Sequence, residues 1–306
     1  MNYQSLHMDV SIILINYNTA KYTLNCLDSL KEHIKTTVSY EIIVVDNNSE
    51  PEDYTFLSKG LEKKPSIQLV RNSINSGFGS GNMLGAKYAK GNYLLFINND
   101  VILKNDVINI SYTYMHNNPR VGVCTAQNFD EHNNFIPSFD HYKGLRKLIF
   151  GRGFLESVNP LKYPKRKKQH KNPLEVNFIN GAFMFFRRST FDLVGGFDPN
   201  IFLYFEEMDI CYRMRCKGFA SVLLPSAKII HFQGASTKKS KDLYKEGFIS
   251  YLYVLKKNYS YIKYISVIIY LSFTFLIKPK KWGLLAIVIK GGDLSKSLRN
   301  KQLRRH

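Results

Sequence analysis

Four acidic residues and one histidine stand where this sequence can use them chemically. The stretch "FEEMD" places Glu206, Glu207 and Asp209 at the predicted start of a helix, Asp100 closes the apolar run of "NYLLFINND", and His231 sits in "IIHFQGAST". A carboxylate that is not engaged by a cation can take a proton from an attacking hydroxyl. Asp209 has Arg213 four residues on, the spacing of a helical ion pair, so a structural role is expected for it. Acids at a helix start are also favoured by the helix dipole, which gives Glu206 an alternative use as a cap. An Asp at a strand end either reaches a hard cation or completes a turn.

A second feature is the glycine loop "SGFGSGNMLGA", residues 76–86. A dinucleotide fingerprint needs G-x-G-x-x-G at the first strand-to-helix turn, with an acid about 20 residues later. Here Gly77, Gly79 and Gly81 give G-x-G-x-G, after the third strand-like run, and the acid at that distance, Asp100, ends the next strand. The spacing argues against a redox enzyme. Glycines that merely let a helix start close to a sheet are the other reading.

These residues need elements to position them. Strand-like runs at residues 10–15, 42–45, 67–70, 93–97 and 121–126 alternate with helix-like segments, the pattern of an α/β domain with a largely parallel sheet. Leu24, Leu27, Leu30 and Ile34 fall at helical spacing behind Thr19, a predicted N-cap. Functional groups of open α/β sheets gather at the carboxyl ends of strands. Asn16 and Asn18, Asp46 and Asn47, the glycine loop, and Asn98 to Asp100 all follow strand-like runs, so they converge on one rim. Residues 130–175 are less regular, and "KYPKRKKQHK" carries six Lys and Arg, as a solvated mobile loop would. Beyond it, Glu207 to Lys217 reads as a helix ended by Gly218, and Ala220 to Leu224 as a strand.

With 306 residues, 44% of them apolar, the chain can bury one large core or two ordinary ones. Cys26, Cys124, Cys211 and Cys216 form no C-x-x-C pair or regular framework, against a disulfide scaffold or zinc module and in favour of a reducing compartment. The first apolar run follows Asp9 with no basic segment before it, so it reads as a buried strand and not a signal peptide. Of the net charge of +19, residues 1–140 contribute −3 and residues 141–306 contribute +22. No zinc-finger spacing, helix-turn-helix cue or RNP-like segment accompanies that charge, and a nucleic-acid partner is not expected. From Lys256 to His306 stand 12 Lys and Arg against one acid, around an uncharged run of 14 residues from Tyr264 to Ile277. A transmembrane helix wants about 20 apolar residues, so a segment lying on a membrane surface fits better. The alternatives are a helix buried against the domain or a contact in a homo-oligomer.

The segments "VSIILINYN", "IIVVDNNS", "NSGFGSGNMLGAKYAKGNYLLFINND", "INGAFMFFRRSTFDLVGGFD", "YFEEMDICYRMRCKG" and "HFQGAST", in that order, resemble the inverting family 2 glycosyltransferases, especially their rhamnosyltransferase-like branch. The resemblance runs from about Asp9 to Gln233 and implies a GT-A fold, a Rossmann-like, mostly parallel sheet flanked by helices. It implies a glycosyltransferase domain over residues 1–242, with a nucleotide-sugar half at about 9–130 and an acceptor half at about 172–235. Residues 243–306 would form a helical, membrane-associated tail. Implied at the donor, of dTDP or UDP type, are Asn16, Asn18, Asp46, Asn47, Gly77, Gly79, Asn82, Asn98, Asn99 and Asp100. Mg²⁺ or Mn²⁺ would sit at Asp100 and His231, although the family's D-x-D reads Asn98, Asn99, Asp100 here. Glu207 falls on the family's base position, while Asn180, Gly181 and Glu206, with Arg187 and Arg188, fall on the acceptor side. The implied reaction carries a sugar, rhamnose by resemblance alone, to a hydroxyl of a lipid-linked glycan at the cytoplasmic face of the membrane. The missing D-x-D aspartate leaves a non-catalytic sugar-nucleotide or glycan-binding protein as the alternative. A nucleotidyltransferase would need a basic glycine-rich loop after strand one, and "NYNTAKYT" is not one.

Overall fold

A computed structural model describes residues 8–35, 38–232 and 240–303. The first half alternates as the sequence predicts: β1 (Val10–Asn16), α1 (Ala20–His33), β2 (Tyr40–Asp46), α2 (Pro51–Glu62), β3 (Ile67–Arg71), α3 (Phe78–Tyr88) and β4 (Tyr93–Asn98). Parallel strands covered on both faces need continuous apolar runs, and Val10, Ile12, Ile13 and Leu14 of β1 are fully buried. β1 pairs in parallel with β2 on one side and β4 on the other, Ile12 lying opposite both Ile42 and Leu95. Strand addition therefore reverses direction between β1 and β4, which opens a crevice at their carboxyl ends.

The chain continues through β5 (Val101–Leu103), α4 (Val107–Asn117), β6 (Val121–Phe129), β7 (Phe135–Ile136), β8 (Phe139–Asp140) and α5 (Leu145–Val158). It then forms β9 (Leu174–Val176), β10 (Phe178–Ile179), β11 (Phe183–Arg187), α6 (Arg188–Leu193), α7 (Glu206–Cys216) and β12 (Ala220–His231). The main sheet has the order β3-β2-β1-β4-β11-β6-β12-β5, with β7 beside β6 and β9 beside β12, while β8 and β10 form a small ribbon. It is mixed, not largely parallel, because β11 enters antiparallel between β4 and β6. Thr19 occupies the N-cap position of α1 without a side-chain cap bond. The Ala20 N–H donates instead to Asp53 at 2.9 Å, so α2 caps α1.

Two further segments differ from expectation. β12 runs seven residues past Leu224, with a bulge between Leu224 and Lys228 where Pro225 has no N–H to give the ladder. That extension carries His231 opposite Val101. The less regular region 130–175 contains α5, kinked at Gly151 (φ 75°), and in the basic run expected to be a solvated loop Arg166 turns inward to donate to the Phe139 carbonyl at 2.7 Å.

The C-terminal segment is α8 (Lys241–Asn258), α9 (Tyr261–Leu276), a 3-10 turn at Pro279–Lys281, α10 (Trp282–Ile289), a second at Leu294–Lys296, and α11 (Leu298–Leu303). Among the described residues no helix is long and apolar enough to cross a membrane. Leu252, Val254 and Leu255 of α8 and Val267, Leu271 and Phe275 of α9 share one core cluster with Phe197, Met208 and Ile210. Charge fixes the same contact: Lys257 of α8 bridges Asp198 (2.6 Å) and Asp209 (3.1 Å). Asp209 also accepts from Arg213 at 2.6 Å and from the Asn258 amide at 2.8 Å. Asp209 is fully buried, so it is a structural tie between α7 and α8.

Asp209→Ala would take from Arg213 its one carboxylate partner among the described residues and leave Lys257 with Asp198 alone. Breaking a buried pair from one side typically costs about 3–5 kcal/mol. Urea unfolding of the variant should show a loss of that order, with unchanged stability ruling out the tie.

Candidate active site

The crevice between β1 and β4 is a cavity of about 530 Å³. Of the residues expected at a donor, Asn47, Gly77, Asn82, Asn98, Asn99 and Asp100 line it, together with Asn180, Gly181, Glu206, Glu207 and His231. Asn16, Asn18, Asp46 and Gly79 do not. Asn16 and Asp46 are fully buried and bonded to each other at 3.0 Å. The Asn16 amide also donates to Ser49 and Asp53, and Asp46 faces Arg71 at 3.5 Å. Asn18 takes a left-handed conformation (φ 55°) in which its side chain accepts from the Glu50 N–H. These three residues tie strand ends together behind the cavity, and Gly79 packs near Phe197.

Asn47 performs both tasks. Its amide donates to Asn75 (3.0 Å) and to the Gly77 carbonyl (3.1 Å), and its oxygen accepts from Asn72 and Ser76. The glycine loop is thereby fastened to the end of β2. Gly77 has φ 84°, and a Cβ there would lie 2.1 Å from the Phe202 carbonyl, so only glycine allows the Phe78 N–H to donate to that carbonyl at 3.0 Å. Farther along, a Cβ on Gly85 would meet Ile13 at 2.5 Å. The loop thus serves both of its sequence readings: its first part lines the cavity and its second seats α3 on the sheet.

Asp100, buried at the end of the β4 turn, lies 3.3 Å from Nε2 of His231. Asn99 donates to Thr19 (2.7 Å) and Thr23 (2.8 Å). Among the described residues, His231 Nδ1 and Asn82 Nδ2 are buried without a hydrogen-bond partner, and no cluster of three or more His, Cys, Asp or Glu could enclose a metal. One carboxylate and one imidazole are a fit for a divalent cation that takes its remaining ligands from phosphate oxygens, and not for a cation caged by protein alone.

Glu206 and Glu207 open α7 beneath this cavity. The two residues before them, Tyr204 (φ 72°) and Phe205 (φ 71°), are both in the left-handed region, an arrangement that non-glycine residues adopt only when their surroundings enforce it. Phe205 packs against Tyr251 of α8, and Lys143 lies over its ring at 4.4 Å. Glu206 is buried, with Oε1 unpartnered among the described residues. Burial, and then the neighbouring charge of Glu207, push its carboxyl well above the ordinary range. Burial also raises Glu207, opposed by the N–H groups of Glu207 and Gly181 and by Lys143. A Cβ on Gly181 would stand 2.4 Å from Glu207 Oε1, so glycine is required for that approach. Among the described residues Glu207 forms no ion pair, whereas Asp209 forms two.

Arg187 and Arg188 are absent from this rim. β11 runs antiparallel to β4, so its last residues reach the opposite end of the sheet, where Arg187 donates to Tyr93 and Arg188 to the Ala89 carbonyl. Thr19, Asn75, Phe202, Tyr204 and Lys143 are site residues that the sequence reading missed. Asn75 and Thr19 adjoin strand ends and were findable on that ground. Gln233 to Thr237 of the "HFQGAST" segment lie outside the described residues.

The family model for glycosyl transferase family 2 matches residues 11–194. The chain belongs to this family. It is 27% identical over 233 residues to Rhamnosyltransferase WbbL of Escherichia coli K12, covering 73% of this chain and 83% of that protein. It is 25% identical over 245 residues to the N-acetylglucosaminyl-diphospho-decaprenol L-rhamnosyltransferase of Mycobacterium tuberculosis, covering 74% and 76%. The fold is that of GT-A enzymes. A structure of GalNAc-T7 with UDP, GalNAc and Mn²⁺ superposes with a TM-score of 0.61 at 15% identity, covering 83% of this chain and 48% of that one. A mannosyltransferase of Pyrobaculum calidifontis with GDP-Man and Mn²⁺ gives 0.54 at 14%, covering 95% and 88%. This chain is accordingly a rhamnosyltransferase-like family 2 glycosyltransferase.

A titration follows for this glycosyltransferase. A carboxyl raised on folding holds its proton more tightly in the folded state, so stability is greatest below the ordinary value of 4.5 and falls as pH climbs above it. Glu206→Gln should therefore raise the melting temperature at about pH 8 and leave it nearly unchanged at about pH 4. An equal shift at both would contradict a raised Glu206.

Proposed function

We propose that this glycosyltransferase moves a sugar, rhamnose on the strength of its relatives, from a dTDP or UDP carrier to a hydroxyl of a lipid-linked glycan, with inversion at the anomeric carbon. The observation that carries the reading is Glu207: a carboxyl with no ion pair among the described residues, facing the crevice that also holds Asp100 and His231. The nucleoside diphosphate lies along the carboxyl ends of β1 and β4, where the Asn82 amide binds it and the Gly77 loop, fastened by Asn47, orients it. Asp100 and His231 would hold Mg²⁺ or Mn²⁺ there. The cation, when bound, offsets charge on the diphosphate as it leaves. Glu207 removes the proton of the acceptor hydroxyl as that oxygen attacks opposite the leaving group, and its raised carboxyl suits a base working near neutrality. The neighbouring Glu206, protonated, adds no second charge to the site. The Mn²⁺ in both structural neighbours and the lipid diphosphate in the mycobacterial relative's name support the metal and the acceptor class.

The deciding experiment is a melting-temperature screen of nucleotide-sugars with and without Mn²⁺. Stabilisation should require Mn²⁺ and be lost in Asp100→Ala; metal-independent stabilisation would sink the shared-cation assignment. Glu207→Gln should keep the stabilisation and lose roughly 10² to 10⁴ in turnover. Near-normal turnover in that variant would move the base elsewhere.

The same reading seats the protein on the inner face of the cell membrane. Ile262, Ile269, Phe273 and Leu276 of α9 and Trp282 of α10 are exposed, among the lysines of a strongly basic segment. The full chain should sediment with anionic vesicles at low salt and be released in part at high salt. Ile269→Glu with Phe273→Glu should abolish sedimentation and preserve donor-induced stabilisation, and vesicle binding that survives both changes would exclude α9 as the anchor.

A further inference from the structure

Glu207 belongs to a second cavity as well. On the far side of Asn180, Tyr204 and Glu207 lies a chamber of about 750 Å³ that shares those residues with the polar crevice. Its walls are of opposite character. Phe139 and Phe178 line one side, and Leu243, Phe248, Leu271 and Phe275 of α8 and α9 line the other. A free sugar would bring hydroxyls that such walls leave without partners, which costs more than it returns. The chamber also holds cations. Asp140 is satisfied by Lys147 at 2.6 Å and lies 3.8 Å from Arg166, whereas Lys143 has no carboxylate within ion-pair distance among the described residues. Lys143 is half-buried, and loss of water holds its ammonium below the ordinary lysine range. Apolar walls with an unpaired ammonium beside the base match an amphiphile whose anionic group joins an apolar chain to a sugar.

We infer that this chamber receives the acceptor's lipid, the first units of an isoprenoid chain lying between α8, α9 and the β8–β10 ribbon, with its diphosphate at Lys143 and Arg166. The assignment rests on the proposed function and deepens it. The hydroxyl under attack then approaches Glu207 from the side opposite the nucleotide, as inversion demands, because the two chambers adjoin along Asn180, Tyr204, Glu207 and Leu243. α9 gives its inner face to the chamber and its outer face to solvent as exposed apolar residues, so a chain leaving a bilayer would have a short path inward.

Gly247 supplies the test. It lines the chamber from α8, and a Cβ there would touch only Tyr204 Cδ2, at an ordinary 3.4 Å. Gly247→Leu fills the chamber while replacing a glycine within a helix, so its fold should be as stable or more so. The probe is farnesyl diphosphate below its micelle concentration, titrated calorimetrically into the full chain saturated with nucleoside diphosphate and Mn²⁺. It should bind at least about tenfold more tightly than inorganic diphosphate, and Gly247→Leu should lose about tenfold or more while its nucleotide affinity is unchanged. Lys143→Met should weaken farnesyl diphosphate and leave farnesol unaffected. Unaltered binding in Gly247→Leu, or competition between farnesyl diphosphate and the nucleotide, would overturn the assignment. A chain that binds farnesyl diphosphate in a Gly247-dependent way but binds no nucleotide would support the chamber and overturn the donor reading alone.

Discussion

Two carboxyl groups open one helix, Glu206 buried and Glu207 facing the cavities, and burial together with the charge of its neighbour pushes the Glu206 carboxyl well above the ordinary range. Much of the surrounding structure serves to keep them there. The left-handed pair Tyr204 and Phe205 turns the chain so that both side chains start a helix facing a cavity. Gly181 leaves room for Glu207, and its N–H holds the carboxylate. Behind them Asp209 ties α7 to α8 through Lys257 and Asn258. The division of labour among three acids within four residues is therefore one of environment: Glu206 is buried with its carboxyl raised, Glu207 faces the cavity and Asp209 is spent on structure.

The rim itself was readable from the sequence because strand ends have a fixed place in an α/β sheet. Apolar runs marked β1, β2, β3 and β4, and the polar residues after them had to meet. What a lone sequence could not separate is a polar residue that faces the cavity from one that ties the loops behind it. Asn16 and Asn47 each follow a buried strand and are each bonded within the protein, yet only Asn47 also lines the cavity. That difference depends on partners 30 or more residues away, such as Asp46 for Asn16 and Gly77 for Asn47. Asp209 was legible because its partner Arg213 is local.

Other features depended on tertiary pairing with no periodic signature. The direction of β11 is set by how it returns between β4 and β6, and "FMFF" reads alike in either direction. β12 passes through Pro225 because a bulge absorbs it, a local defect that ends most strands. The basic run from Lys162 looked solvated by composition, yet the Arg166 guanidinium finds the Phe139 carbonyl and the Asp140 carboxylate inside. In the C-terminal segment, helical spacing showed apolar stripes but not what they cover, and α8 covers the wall beside Glu207.

The reach of one core cluster has a consequence for how the molecule is made. Its members run from Ile13 in β1 to Val288 in α10, so residues far apart in the order of synthesis are packed together. The crevice is lined first by residues 15–100 and again by residues 180–243, so the early strands make only one of its walls, and the wall beside Glu207 waits for α8 and α9. Loop closure over such separations is slow compared with local folding. The loops after β1 to β4 can therefore take their places before Glu207 has a helix to carry it, and the wall that α8 and α9 supply is added last in the order of synthesis.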